Sequence, residues 1–254
     1  MIYLKKFGTT AQYNAYTADT TNFIKPNVSL IEETHGVAYH PAEPTPPTPS
    51  HDYVEIGGLK WATMNVGANS ITDAGLYFQW GDTQGYTAAQ CGSGEGQKYF
   101  GWADYKYGNG TSSPDKTGMT KYNTSDGKTV LDLSDDAAHA NWGGSWRMPT
   151  TEEFVALGNA VNTEWTSNYN STGVAGMICT AKDGSGAQLF FPAAGLCDNG
   201  SVFNVGSLGS YWSGSLYSSD VQLAYLLGFF DVYVGWEKSG RCNGYPVRGV
   251  IGNI

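Results

Sequence analysis

The sequence predicts an α+β fold of short antiparallel strands, two short helices and long loops. Three observations carry this expectation. Charged residues make up 15% of the 254 residues, against ~25% in typical soluble proteins, so long salt-bridged helices are not expected. The chain holds 34 Gly, 17 Tyr and 8 Trp, a surplus of turn formers and large aromatics. Its alternating apolar runs are short and separated by Gly, Asn, Asp and Ser, and only two segments carry helix-start signals. A hydrophobic content of 41% is enough for a packed core and too high for a disordered chain.

Taken in order, residues 1–40 are too few to bury a stable core alone. They read as an attachment or oligomerisation segment with β character in Val28-Ser-Leu-Ile-Glu and Gly36-Val-Ala-Tyr. Residues 41–50 carry five of the ten prolines, which favours an extended polyproline II spacer. From His51 to Ile254 the pattern changes to short alternating runs punctuated by Gly, Asn, Asp and Ser, read as one domain. It begins with a hairpin over Tyr53–Ala62 that turns at Gly57-Gly58. The tracts 84–97 and 107–121 have neither helical nor strand periodicity and read as loops. Ser134 is the expected N-cap of a first helix, with Asp135 and Asp136 set against the helix dipole. Thr150 and Glu153 have capping-box spacing directly after Pro149, which starts a second helix.

The most informative stretch is residues 209–236. Read with period two, it places Tyr225, Leu227 and Phe229 on one face of a strand and Val232 and Val234 on one face of the next, as a core stripe. Leu226, Gly228, Phe230, Asp231, Tyr233 and Gly235 then point outward. Leu223 and Trp236 share the core parity and are placed outward as strand-end residues. Lys238 completes the face, and Tyr217, Asp220 and Gln222 lie on the preceding loop. An exposed aromatic cluster is a candidate binding face, because Tyr and Trp supply contact area at low entropic cost. Periodicity alone does not identify a covering layer, so the same pattern also fits a sheet buried on both faces.

Five blocks carry a resemblance: Trp61-Ala-Thr-Met-Asn65, Gly75-Leu-Tyr-Phe-Gln-Trp-Gly81, Asn141-Trp-Gly-Gly-Ser-Trp-Arg-Met-Pro-Thr150, Gly209-Ser-Tyr-Trp-Ser213 and Arg241-Cys-Asn-Gly-Tyr-Pro-Val-Arg248. From about Tyr53 to Val250 the chain resembles a C-type lectin-like fold, in the branch of formylglycine-generating-enzyme-like domains and the Fibrobacter major paralogous domain. Its ending is similar to variable proteins of diversity-generating retroelements from gut Bacteroides and their phages. The resemblance implies short twisted antiparallel sheets, a fixed scaffold, and a face at about 213–240 whose residues are rewritten by an error-prone reverse transcriptase. It also implies a receptor-binding protein on a phage tail or cell surface, with a protein or glycan receptor as partner and a homo-oligomer, such as a trimer, as the assembled form. Arg147, Arg241 and Arg248 are the only arginines and all lie in these blocks. Arg147 and Arg248 are expected to be fold supports, since a planar guanidinium suits a fixed clamp better than Lys does. Trp61, Trp80, Trp142, Trp146 and Trp212 are expected to be packed.

Competing functions find less support. With 14 Lys+Arg against 23 Asp+Glu, a net charge of -9 argues against nucleic-acid and anionic-membrane partners. No run approaches the ~20 apolar residues of a membrane span, and the start has no apolar segment after Lys5-Lys6, so no signal peptide is expected. Cys91, Cys179, Cys197 and Cys242 form no Cys-x-x-Cys pair and read as buried free thiols. Cys242 lies beside Arg241, an arrangement that can lower a thiol pKa. An oxidase of the formylglycine type would need Cys197 and Cys242 in a sequence context that is absent, so no enzyme activity is expected. The calcium-lectin motifs Glu-Pro-Asn, Gln-Pro-Asp and Trp-Asn-Asp are missing, Asp126-Gly127 reads as a turn, and no Gly-x-Ser-x-Gly elbow occurs. His35, His40 and His51 read as solvated loop histidines and His139 as a structural hydrogen-bonder, so neither metal nor cofactor is expected. A glycan-binding adhesin without diversification is the alternative reading.

Overall fold

The structure, a computed structural model, describes residues 51–111 and 118–252 in full, with the backbone of 28–33 and 36–41. The chain divides into two compact units, Met1–Thr48 and Pro49–Ile254. In the first, β1 (Val28–Glu33) and β2 (Gly36–Pro41) pair as an antiparallel hairpin. The proline-rich spacer at 42–50 and residues 1–27 of the expected attachment segment lie outside the described residues.

In the second unit, β3 (Tyr53–Ile56) and β4 (Leu59–Asn65) form the expected hairpin. Gly57 and Gly58 have φ of 62° and 79°, the left-handed pair that a two-residue turn between twisted strands requires. After β5 (Tyr77–Phe78) and a long loop region come α1 (Ala137–Trp142) and α2 (Thr151–Ala160). An antiparallel sheet of β6 (Val161–Thr166), β7 (Gly176–Ala181) and β8 (Gln188–Pro192) follows, then the short hairpin of β9 (Leu196–Asp198) and β10 (Ser201–Phe203). A third sheet runs β11 (Gly209–Leu216), β12 (Leu223–Phe230), β13 (Tyr233–Gly240) in that order. The end of the second unit then returns to that unit's first strands: β14 (Tyr245–Pro246) pairs with β5, and β15 (Arg248–Ile251) pairs with β4. The plan is α+β, with every named strand pair antiparallel. No helix among the described residues is long and apolar enough to cross a membrane.

The helix starts show one agreement and one correction. Thr150 caps α2 as expected, accepting from Glu153 N at 3.3 Å while Glu153 Oε2 accepts from Thr150 N at 2.8 Å. The cap of α1 is Asp136, not Ser134, which lies in a 3-10 turn over Leu133–Asp135. Asp136 accepts from His139 N at 2.9 Å and from Met148 N at 2.7 Å, so one buried carboxylate both caps the helix and holds the next segment. Burial raises its pKa, and those backbone donors oppose the rise. His139 Nδ1 lies 3.2 Å from Trp146 O, the structural contact expected of it.

Two large cores lie in the second unit. One gathers Trp80, Tyr122, Met148, Trp212 and Leu226, and the other Trp61, Phe154, Met177, Tyr211, Leu227, Phe229 and Val250. Three arginines fix the elements around them. Arg248, fully buried, donates to Asn65 Oδ1 at 2.9 and 2.7 Å, to Ala62 O at 3.0 Å and to Phe190 O at 3.0 Å, joining β4, β8 and β15. Burial lowers its pKa to about 10, which leaves it charged at neutral pH. Arg147 forms a two-pronged pair with Glu153 at 2.7 and 2.5 Å, tying the chain before α2 to its first turn. Arg241 is fully buried, donates to Tyr105 Oη, Tyr122 O, Val221 O and Lys121 O, and lies 4.8 Å over the Trp80 ring. Trp61, Trp80, Trp146 and Trp212 are packed as expected, whereas Trp142 is half-buried between Trp146 and His51, with ring centroids at 5.2 and 4.2 Å.

Candidate functional site

The residues singled out in the C-terminal stretch sit on β12, β13 and the segments flanking them. The loop Tyr217–Gln222 is closed by Tyr217 N to Leu223 O at 3.0 Å and by Asp220 N to Tyr217 O at 3.0 Å. Arg241 grips it twice, through Val221 O at 2.7 Å and through its own N–H to Gln222 O at 3.0 Å. The loop that carries Tyr217, Asp220 and Gln222 is therefore anchored to a buried cation.

The parity assignment needs correction on both strands. β12 is the central strand of its sheet and is covered on both sides. Leu227 and Phe229 enter one core as expected, but Leu226, expected outward, is 4% exposed and enters the other core beside Trp212. Gly228 is also buried. The two-sided alternative thus holds for β12, where an apolar residue on either parity has a layer to meet. β13 is the edge strand, and the expected core residues in the turn before it and at its start are open: Val232 is 83% exposed and Val234 40%. Tyr225 and Leu223 are half-buried. Trp236 lies well inside β13, so its position is not a strand-end effect.

The register gives β13 two different faces. Phe230 lies opposite Tyr233, Gly228 opposite Gly235, and Leu226 opposite Glu237. On this face Phe230 and Tyr233 stack at 5.2 Å, and Tyr233 Oη donates to Glu237 Oε1, a bond that pushes the phenol pKa up. On the other face Phe229 lies opposite Val234, Leu227 opposite Trp236, and Tyr225 opposite Lys238. Here Trp236 stacks on Phe154 of α2 at 6.4 Å. Gly158 leaves room for it, since a Cβ there would stand 3.3 Å from Trp236 Cζ2. At the strand's far end Lys238 Nζ sits 4.5 Å over the Tyr217 ring, which meets Tyr225 edge-on at 5.4 Å.

The expected set is therefore spread over two sides of one edge strand and its hairpin tip. Phe230, Asp231, Tyr233 and Gly235 belong to the first side and the tip; Tyr217, Trp236 and Lys238 belong to the second; Leu226 and Gly228 belong to the interior. Beside the tip a cavity of about 310 Å³ is lined by Trp165, Met177, Phe230, Asp231, Tyr233 and Val234. Sequence parity missed Val232, Val234 and Glu237. The signal available for them was position: β13 follows a two-residue turn and carries the charged pair Glu237-Lys238, as edge strands often do.

Thiol chemistry has little footing. Burial raises the Cys179 and Cys242 thiols to about 12, and it raises Cys91 and Cys197 as well. Sequence proximity to Arg241 does not lower the Cys242 thiol: neighbouring Asp198 and Asp104 add to the rise, and Arg241 spends its guanidinium on carbonyls and Tyr105 instead. Three of the thiols are buried, and Cys91 is half-buried. Asp126 accepts from the N–H groups of Tyr122, Asn123 and Lys128 and closes the expected turn. Asp135 is held by Lys106, Lys121 and Tyr122 Oη. Among the described residues no group of three or more His, Cys, Asp or Glu is placed to hold a metal ion. Comparison of the chain with protein-family models, curated proteins and solved structures finds no match.

Proposed function

We propose that the second unit is a C-type lectin-like display domain that binds a receptor, protein or glycan, through β13 and the hairpin tip, as a retroelement-diversified variable protein does. One observation carries the reading. Phe230 at the end of β12, Val232 in the turn, and Tyr233, Val234 and Trp236 on β13, five large apolar side chains in seven residues, are each between 37% and 83% exposed, whereas the rest of β12 is buried or half-buried. An edge strand carrying such residues invites aggregation unless they serve a contact. The return of β15 to β4 and the buried arginine clamps are consistent with a lectin-like scaffold that keeps its shape while surface residues change.

Affinity would come from aromatic anchors held by their neighbours, Tyr233 on Phe230 and Trp236 on Phe154, which lose little freedom on binding. The reading assigns binding rather than catalysis, in keeping with four thiols held in the protonated form. It places the protein on a phage tail or cell surface, with residues 1–40 as its attachment and several copies, in a trimer, supplying avidity. The test is the gene sequence across isolates. Codon changes confined to Tyr217 and the exposed positions of 230–238, sparing Leu226, Leu227 and Phe229, are expected. Changes spread evenly over 53–250 would overturn the reading.

A further inference from the structure

A second cleft, of about 350 Å³, lies apart from the hairpin tip and is bounded by Tyr99, Trp102, Asp198, Asn199, Cys242 and Asn243. Its walls are built with care. Phe100 and Asn199 have φ of 58° and 44°, and the left-handed region is rare for a residue as bulky as Phe. That strain is held in place by Asp104, whose carboxylate accepts from the N–H groups of Tyr99, Phe100 and Gly101 at 3.1, 3.3 and 2.9 Å. Phe100 O accepts from Asn199 N at 3.4 Å, so the two strained residues brace each other. The strained turn carries Tyr99, 44% exposed, at the mouth of the cleft. The ring is seated on Gly101 and Gly200, where a Cβ would stand 2.9 and 3.0 Å from it. From below, Gln79 donates to Cys242 O at 2.8 Å and to Gly101 O at 3.4 Å, while its own buried Oε1 has no hydrogen-bond partner. Backbone strain of this kind persists where the surroundings over-determine it, and it concentrates at binding sites.

The electrostatics of the cleft are one-sided. Its lining includes two aromatic rings, two side-chain amides and one carboxylate, and no Lys, Arg or His. Asp198 is half-buried and accepts from Asn199 Nδ2 at 3.0 Å, with no cationic partner among the described residues. The nearest lysine in the sequence segment, Lys98, is committed elsewhere, 3.6 Å from Asp104 Oδ2 and 4.0 Å from Asp82 Oδ2. The negative field reaches Cys242, whose thiol is raised first by burial and then by Asp198 and Asp104. An anion would meet the Asp198 carboxylate with no Lys, Arg or His in the lining to offset it, whereas a cation would pair with that carboxylate. A carboxylate beside aromatic faces is the arrangement that recognises a soft organic cation, through charge pairing together with attraction to the ring faces.

We infer that the cleft formed by Tyr99, Trp102, Asp198, Asn199 and Asn243 is a binding site for an alkylammonium or guanidinium group. Such a group can belong to a small quaternary amine or to a Lys or Arg side chain of another protein. The site meets β13 only at its last residue, Gly240, and includes none of the exposed side chains of the proposed display surface, so either reading can fail without the other.

The test uses the whole chain labelled with ¹⁵N, titrated at constant ionic strength with tetramethylammonium chloride, Nα-acetyl-lysine amide, Nα-acetyl-arginine amide and, as a neutral control, glucose. Saturable shifts of the Trp102 indole and Asn199 side-chain resonances are expected with at least one cation and not with glucose. Preference for tetramethylammonium would point to a small amine, and preference for the amino-acid amides to a basic side chain. Asp198→Asn, nearly isosteric, is expected to weaken binding about tenfold, and added salt to weaken binding to the native protein. Tyr99→Leu, on an exposed ring, is expected to weaken it too and serves if the first variant does not fold. Failure of every cation to give saturable shifts would overturn the inference, as would saturation by glucose in their place. Equal affinity in the folded Asp198→Asn protein would do the same.

Discussion

Leu226 and Val232 are six residues apart and were expected on opposite sides of the protein surface, one displayed and one packed; their burial is the reverse. Replacing each with Ala measures the difference. Leu226 is 4% exposed and packs with Trp212. Its truncation removes three carbon groups worth about 0.8 kcal/mol each on transfer. The cavity left between Trp212 and the rest of that core adds to this, so the total is about 3–4 kcal/mol. Val232 is 83% exposed, and its truncation belongs with surface changes of about 0.5 kcal/mol or less. For a domain of this size each kcal/mol shifts Tm by about 2–4 °C. Leu226→Ala is therefore expected to lower Tm by about 6–15 °C, and Val232→Ala by no more than about 2 °C. Thermal and urea unfolding followed by circular dichroism would read both, with an unchanged urea slope confirming that the same surface is exposed. Equal losses in the two variants would refute the placement of β12 as a central strand and β13 as an edge.

Three further outcomes follow from the buried polar groups. Arg248→Met leaves Asn65 Oδ1, Ala62 O and Phe190 O without their donors, at about 1–3 kcal/mol for each unsatisfied group; loss of cooperative folding on thermal unfolding is expected, and a Tm within a few degrees of the native value would contradict the clamp. Burial alone would raise the Asp135 carboxyl, but hydrogen bonds from Lys121, Tyr107 and Tyr122 hold it well below the ordinary carboxylate range. Its folded value lies under its unfolded value, so its stabilisation is complete above about pH 4 and is lost as the pH falls through the folded value. Asp135→Asn is expected to cost about 2 kcal/mol at neutral pH, with a gap to the native protein that narrows in acid; a gap that widens in acid would show the sign to be wrong. A thiol reagent at pH 8 should modify the native protein slowly, beginning at half-buried Cys91, and all four cysteines only after unfolding; rapid reaction at Cys242 would contradict its raised pKa.

Local signals were legible where one segment decides its own structure. Gly57-Gly58 turns because both residues must be left-handed, and Thr150 with Glu153 caps α2 because the bonds span only three residues. Ser134 misled because the true cap, Asp136, is chosen by its additional bond to Met148 N, twelve residues away. Arg248 was legible as a support from residue type, but its partners on β4 and β8 come together only in three dimensions. Parity failed on β12 for a related reason. Alternation tells which residues share a face, yet what covers each face depends on distant chain, here Trp212 and Met148 on one side and Phe154 and Met177 on the other. The cleft at Tyr99 and Asp198 left no sequence signal, because its walls come from three separate segments between residues 99 and 243.

The separation of β12 from β13 bears on how, under the proposed function, one domain would be both rigid and changeable. A surface residue can vary freely only if neither its burial nor its bonds support the fold, and the edge strand meets that condition unevenly. Val232, Val234 and Lys238 are exposed, so their replacement is expected to cost little stability. Trp236 differs, because it covers Phe154 and rests against Gly158. Gly158→Ala tests this contact: the helix gains about 1 kcal/mol from the exchange, while the new methyl pushes Trp236 off its seat. Nearly unchanged stability with a red-shifted tryptophan emission is the expected result, since a ring already 37% exposed can move outward at small cost. A clear loss of stability would mean that Trp236 belongs to the scaffold, and the positions open to change would then be confined to the hairpin tip and the Tyr233 side of the strand.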